Sequence, residues 1–153
     1  MAKTTSLLFV CTGNSIRSQM AEGFAHHHSP NWITVDSAGI LPAGLNPYAI
    51  WAMNEVGIDI SKQSSDSLSG KDLSQYHYFV TLCQHSSNSC PILPTSIQVE
   101  HWDLPDPASI AGNAEAVMIG FRAVRYIIER KVLTLLKSLI AANQRLARNK
   151  LRR

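Results

Sequence analysis

The sequence predicts an α/β fold: a single-domain, three-layer α/β/α arrangement around a four-stranded parallel sheet. Two observations carry this. Short apolar runs of strand length alternate with longer segments of helical period, the pattern of a parallel sheet covered on both faces. The chain has 153 residues with an apolar share of 45%, enough for one core but short for two domains.

The elements follow in order. Ser6–Val10 is apolar, ends at Cys11 and reads as a buried strand. Thr12-Gly13-Asn14-Ser15 is a turn signal. From Ser15 the period becomes helical, with Met20, Ala21, Phe24 and Ala25 on one face. Ile33–Val35 is a second strand, left through the loop Ser37-Ala38-Gly39. Asn46-Pro47 opens a second helix, with proline at the first helical position. Ile50, Met53 and Val56 are its expected apolar stripe, and Gly57 its stop. Tyr78–Leu82 is a third strand, ending at Cys83; Ile97–Val99, extending towards Trp102, is a fourth. Ala114–Arg148 carries a long helical pattern, with Val117, Phe121, Val124, Ile127 and Ile128 expected to face inward. Ligands of such sheets bind beyond the strands' carboxyl ends. Cys11, Cys83 and the pair Asp106-Pro107 all fall on that edge.

The net charge of +3 is too small to indicate nucleic-acid binding. Much of it sits at the C-terminus, in Arg145, Arg148, Lys150, Arg152 and Arg153. That basic helical extension, from about residue 135, reads as a solvated or frayed helix end; contact with an anionic partner is the other reading. Three cysteines do not form an extracellular disulfide framework. Leu7-Leu8-Phe9-Val10 is too short for a signal-peptide core, and no run approaches the ~20 apolar residues that span a bilayer. A cytoplasmic protein is expected, without nucleic-acid or membrane partners and monomeric. In a reducing compartment, cysteines serve catalysis or metal binding more often than structure.

The run Cys11-Thr12-Gly13-Asn14-Ser15-Ile16-Arg17-Ser18 lies between a strand and a helix. A loop curling into a helix start aims several backbone N–H groups at one point and forms an anion nest. Gly13 and Asn14 tolerate the positive φ angles such a curl requires. The planar fork of Arg17 matches two oxygens of a tetrahedral anion. Cys11 stands at the helix N-terminus near a guanidinium, a setting that turns thiols into nucleophiles at neutral pH. Ser18 can donate a hydrogen bond to the thiolate. The expected oxyanion-binding residues are Thr12, Gly13, Asn14, Ser15, Ile16 and Arg17.

The stretch Val10–Gly23 resembles the active-site loop of the low-molecular-weight tyrosine phosphatase superfamily, most nearly its thioredoxin-coupled arsenate reductase branch. The resemblance extends to Asp36-Ser37-Ala38-Gly39, Asn46–Ile50, Gly57–Ser61, Thr81-Leu82-Cys83 and Trp102–Ala108, and covers residues 6 to about 130. Ile16 departs from it, standing where many of these reductases carry a small residue or cysteine. Its side chain is not needed for a backbone nest. The implied fold is that of the low-molecular-weight phosphatases.

The resemblance places a general acid in the Asp-Pro step, at Asp106, with Asp103 as the rival; the leaving oxygen needs such a proton source. It implies a relay. Cys11 attacks arsenate, Cys83 attacks Cys11 to release arsenite and form a Cys11–Cys83 disulfide, and Cys90 then forms a Cys83–Cys90 disulfide that thioredoxin reduces. Glutaredoxin with glutathione is the alternative reductant. Were 83–90 helical, the two Cα atoms would lie roughly 10 Å apart, beyond the ~7 Å a disulfide spans. The intervening Gln-His-Ser-Ser-Asn-Ser holds weak helix formers, and Pro91 follows, so a redox-switched segment is expected. Phosphate or sulfate would compete with arsenate. No tightly bound cofactor is expected. The resemblance also suggests a monovalent cation, potassium, at Asn14, Glu22, Ser37 and Asp66.

A zinc site from Cys83, Cys90 and His85 has the wrong spacing. Consecutive His26, His27 and His28 point to different sides of a helix and read as a helix end. Trp32, Trp51 and Trp102 read as core or rim packing. The competing function is a phosphatase that hydrolyses phosphate monoesters through a Cys11 phosphocysteine. Against it stands Ala108-Ser109-Ile110, where tyrosine phosphatases of this superfamily place aromatics. A non-catalytic anion-binding or redox-sensing module would bind without turnover.

Overall fold

A computed structural model describes residues 4–82 and 97–153. Four parallel strands, β1 (Thr5–Cys11), β2 (Ile33–Gly39), β3 (Tyr78–Thr81) and β4 (Gln98–His101), form one sheet in the order β2-β1-β3-β4. Three α-helices accompany them: α1 (Arg17–His28), α2 (Pro47–Asn54) and α3 (Ala114–Leu151). The α/β class and the four-stranded parallel sheet agree with the sequence-based expectation.

β1 is central and pairs with β2 from Thr5↔Ile33 to Cys11↔Gly39 and with β3 from Leu7↔Tyr78 to Val10↔Thr81. Covered on both faces, it reads as an unbroken apolar run, and Leu7, Leu8, Phe9 and Val10 are fully buried. The larger core lies on the face covered by α1, α2 and α3, around Phe9, Met20, Phe24, Met53, Trp102 and Phe121. A smaller cluster of Leu8, Val10, Ala38 and Phe79 lies beneath the loops of the other face. The chain moves from β1 to β2 on one side, then returns to place β3 on the other. Cys11 thus ends the strand at the topological switch, where such sheets open a crevice.

Two inward assignments are corrected. Val56 is exposed, because α2 stops at Asn54 and the chain turns through Gly57 at φ +80°. Ile127 is also exposed, because the seam of α3 runs through Phe121, Val124, Ile128, Val132 and Leu135, three or four residues apart, and Ile127 falls beside it. Of the tryptophans, Trp102 is buried under the Lys131 ammonium, Trp32 is partly buried, and Trp51 stays on the surface with its ring edge against Tyr48. The three consecutive histidines form the last turn of α1.

Candidate active site

The loop between β1 and α1 closes around the Cys11 sulfur. The Asn14 backbone N–H donates to Sγ at 3.2 Å, and the Ser18 Oγ lies 2.9 Å from it. Ser18 Oγ also accepts from Asn14 Nδ2 at 2.9 Å, which leaves its own hydrogen available to the sulfur. The Asn14 N–H and the Ser18 hydroxyl thus both face Sγ. Among the described residues Cys11 is a free, buried thiol.

Asn14 holds the loop in shape. Its φ of +44° is the one positive value outside glycine in the described chain, and its side chain is wholly buried. Nδ2 donates to both Ser18 Oγ and Ser37 Oγ at 2.9 Å, while Oδ1 accepts from the Asp66 N–H at 2.8 Å, which settles the amide's orientation. The Asn14 carbonyl accepts from Gln19 Nε2 at 3.0 Å and Ser65 Oγ at 2.9 Å. Left-handed backbone at a non-glycine residue persists where its surroundings over-determine it, and here five residues do so. Gly39 completes the packing: a Cβ there would lie 2.7 Å from the Asn14 nitrogen and 2.8 Å from the Thr12 oxygen. Only glycine lets the end of β2 approach the loop so closely.

A cavity of about 200 Å³ opens over the loop, lined by Cys11, Thr12, Gly13, Ser15, Ile16, Arg17 and Asp106. α1 begins with no side-chain cap and no acid in its first turn, so its N-terminal field meets the cavity unopposed. Arg17 Nη1 donates to the Leu104 carbonyl at 3.0 Å, tying the anion loop to the segment that carries Asp106. Asp106 lines the cavity and also caps the short 3-10 turn Pro107–Ser109, accepting the Ala108 N–H at 3.0 Å. It thus has the turn-forming place that any Asp-Pro step has, and it faces the anion nest as well. Asp103 is exposed and does not line this cavity.

Cys83 and Cys90 lie outside the described residues. Leu82, the last described residue of that segment, is buried and donates its N–H to the Val10 carbonyl at 2.9 Å, one residue before Cys11.

The four residues suggested for a cation come together behind the loop. Ser37 Oγ accepts from Asn14 and donates to Glu22 Oε1 at 3.4 Å, and Asp66 meets Asn14 through its backbone. Glu22 is buried in α1. Burial first, and the nearby Asp36 next, push its carboxyl up to about 7, against the Ser37 hydrogen bond. Sequence reasoning missed Lys71. Its ammonium bridges Asp36 at 2.7 Å and Asp66 at 3.1 Å. Burial opposes that charge, but the two carboxylates outweigh it and raise the lysine's pKa. Asp36 moves downward: its burial is outweighed by Lys71, the Tyr76 hydroxyl at 2.8 Å and the Ser37 N–H.

Residues 6–145 match the family described as low molecular weight phosphotyrosine protein phosphatase. An arsenate reductase of Shouchella clausii (strain KSM-K16) is 47% identical over 119 residues, covering 78% of this chain and 86% of that protein. An arsenate reductase of Bacillus subtilis (strain 168) is 46% identical over 119 residues, with the same coverage of 78% and 86%. A solved structure of an arsenate reductase in the phosphate binding state superposes with a TM-score of 0.75 at 36% identity, covering 88% of this chain and 98% of the other. The match over residues 6–145, which takes in the Cys11 loop, Arg17 and the Asp106-Pro107 step, places this chain in the low molecular weight phosphotyrosine protein phosphatase family.

Proposed function

We propose that this protein reduces arsenate to arsenite, with Cys11 as the attacking sulfur. The observation that carries the proposal is the Cys11 sulfur held by Ser18 and Asn14 at the floor of a cavity shared with Arg17 and Asp106. An oxyanion in the nest meets the loop amides and the Arg17 fork. Cys11 attacks arsenic(V), and an arsenic-bound oxygen leaves as water after protonation from Asp106. Cys83 then attacks the Cys11 sulfur. The electron pair of the sulfur–arsenic bond stays on arsenic, which departs as arsenite, and a Cys11–Cys83 disulfide remains. Cys90 attacks Cys83, frees the Cys11 thiolate and leaves a Cys83–Cys90 disulfide. Two electrons reach arsenic, and thioredoxin, or glutaredoxin with glutathione, returns two. Cys83 and Cys90 and the names of the relatives support reduction over hydrolysis.

A monovalent cation such as potassium would be held by Glu22, Ser37, Asn14 and Asp66. When bound, it supplies a counter-charge to Glu22. The chain's own part is to keep Asn14, and through it Ser18 and the sulfur, in place.

The test is one coupled assay with arsenate, thioredoxin, thioredoxin reductase and NADPH. Arsenate-dependent NADPH loss is expected, and Cys11→Ser, Cys83→Ser and Cys90→Ser should each abolish it. Normal turnover in Cys83→Ser and Cys90→Ser would refute the relay. The second reading, phosphate monoester hydrolysis, rests on the same cavity and the family itself. It predicts that Cys11 hydrolyses para-nitrophenyl phosphate with Cys83 and Cys90 dispensable.

A further inference from the structure

Helix α3 outgrows the domain on which it packs. Its 38 residues extend about 57 Å at 1.5 Å per residue. The buried seam ends at Leu135 and Leu136, Leu139 is partly buried, and every residue from Gln144 to Arg153 is exposed. Charge divides along the same line. All 11 acidic residues lie at or before Glu129, whereas eight of the 14 basic ones lie after it. The chain's +3 is thus the balance of a body at −5 and a helical arm at +8.

The exposed end is amphipathic as well as basic. Leu139, Ala142 and Leu146 follow at spacings that keep one helix face, while Arg145, Arg148 and Arg152 stand on the other. Leu146 is 61% exposed and Leu151 88%. Solvation alone explains the arginines but leaves these leucines in water.

We propose that residues 139–153 seat the protein on an anionic membrane surface. The arginines meet lipid phosphates, and Leu146 enters the headgroup boundary, with Leu151, about 140° farther around the helix, at the flank of that face. Lys150 stands on the leucine face itself, one turn after Leu146, and extends its stem outward to keep its charge in the phosphate layer. This is a surface contact: among the described residues no helix is long and apolar enough to cross a bilayer. It revises the expectation of no membrane partner, which the absence of a span had suggested. Clustered Lys and Arg on an amphipathic helix are attracted to anionic lipid, at about fivefold in partition for each basic residue. Two copies pairing along this face would bring arginine against arginine with no acid on either arm. Nucleic-acid phosphates would accept the arginines without covering the leucines. The first turns of α3 lie against Ile110, beside the Asp106 turn, and Leu146 is about 39 Å of helix farther on than Gly120. Changes in the arm therefore spare the catalytic cavity.

The test is co-sedimentation of the full chain with vesicles of phosphatidylcholine alone or with about one third phosphatidylglycerol. Binding to the phosphatidylglycerol vesicles at ~0.1 M salt is expected, with little to phosphatidylcholine alone. Replacing Arg145, Arg148, Lys150, Arg152 and Arg153 together by Gln should lower partition at least about a hundredfold. Leu146→Ser with Leu151→Ser should lower it about tenfold with all charges kept, and both variants should keep wild-type circular dichroism. Failure to bind phosphatidylglycerol vesicles, or equal binding to both compositions, would overturn the proposal. So would arm-dependent binding of an oligonucleotide or polyglutamate with none to vesicles, or arm-dependent self-association in sedimentation velocity.

Discussion

Glu22 offers a test of the polar network behind the anion loop. Its carboxyl is buried, and burial with the neighbouring Asp36 raises it from 4.5 to about 7. The folded protein therefore binds this proton more tightly than the unfolded chain does. By linkage, the stability it contributes is fully present below about 4.5 and is lost as pH rises through about 7. The gap between the two values corresponds to about 3 kcal/mol lost at pH 8. Glu22→Gln is the neutral isostere, and it can still accept the Ser37 hydroxyl. In buffers free of potassium and sodium, Glu22→Gln should melt above the wild type at pH 8 by about 6–12 °C for a chain of this size. The difference should shrink towards zero near pH 5. Asp36, whose carboxyl is shifted down, loses stability on the acid side, but it does so in both proteins and cancels in the comparison. Potassium should raise the wild type at pH 8, by occupying the site beside ionised Glu22, and leave the variant unmoved. A difference that stays flat from pH 5 to 8 would refute the reasoning. So would an equal response of both proteins to potassium, because both effects are derived from one buried charge.

The loop, its neighbours and the surface around α3 make four further predictions. Ser18→Ala removes the hydroxyl 2.9 Å from the Cys11 sulfur, so on the proposed reaction arsenate turnover should fall about 10- to 100-fold, with the fold unchanged by circular dichroism. Gly39→Ala puts a Cβ within 3 Å of two backbone atoms of the loop; a loss of about 1–3 kcal/mol in urea unfolding and weaker phosphate binding by calorimetry are expected. Gly120→Ala meets only the Cδ1 end of Ile110, a flexible side chain at the surface, so its stability should change by less than about 1 kcal/mol, and a larger loss would show that Ile110 is locked. Glu55 is held down to about 2 by Arg122 and then Arg125 on the open surface, so raising salt should return its titration towards the ordinary carboxylate range by NMR.

The anion loop was legible in the sequence because its parts are contiguous. A strand, a Gly-Asn turn and a helix start within 14 residues, Thr5–Ser18, leave little freedom in where Cys11 and Arg17 can point. What holds that loop was not legible. Ser65 and Leu104 reach it from segments lacking hydrophobic period, at separations of up to 87 residues, and Lys71 braces Asp36 and Asp66 beside it; of these distant residues the family resemblance marked Asp66 alone. Nothing local to Lys71 marks it as the counter-charge of Asp36. Periodicity failed at Val56 and Ile127 for a related reason: it reports which residues would share a face, but not where a helix stops or which flank its neighbours cover. Gly39 was seen as part of a loop; that its missing Cβ is required emerges only when β2 lies beside Asn14.

These distant contacts link the two halves of the site. From the Cys11 sulfur the hydrogen bonds run through Ser18 and Asn14 to Ser37 and on to Glu22. The Cys11 sulfur is therefore held by a chain that ends at the buried Glu22 carboxyl. Asn14 cannot turn without breaking its bond to Asp66. Electrostatics behind the loop and geometry in front of it are one structure. On this basis the potassium response and the turnover rate should move together in Asn14→Asp, where Nδ2 is lost and Ser18 and Ser37 lose their shared donor. A variant that lost the potassium response but kept full turnover would separate them and show that the chain of hydrogen bonds does not couple Glu22 to the sulfur.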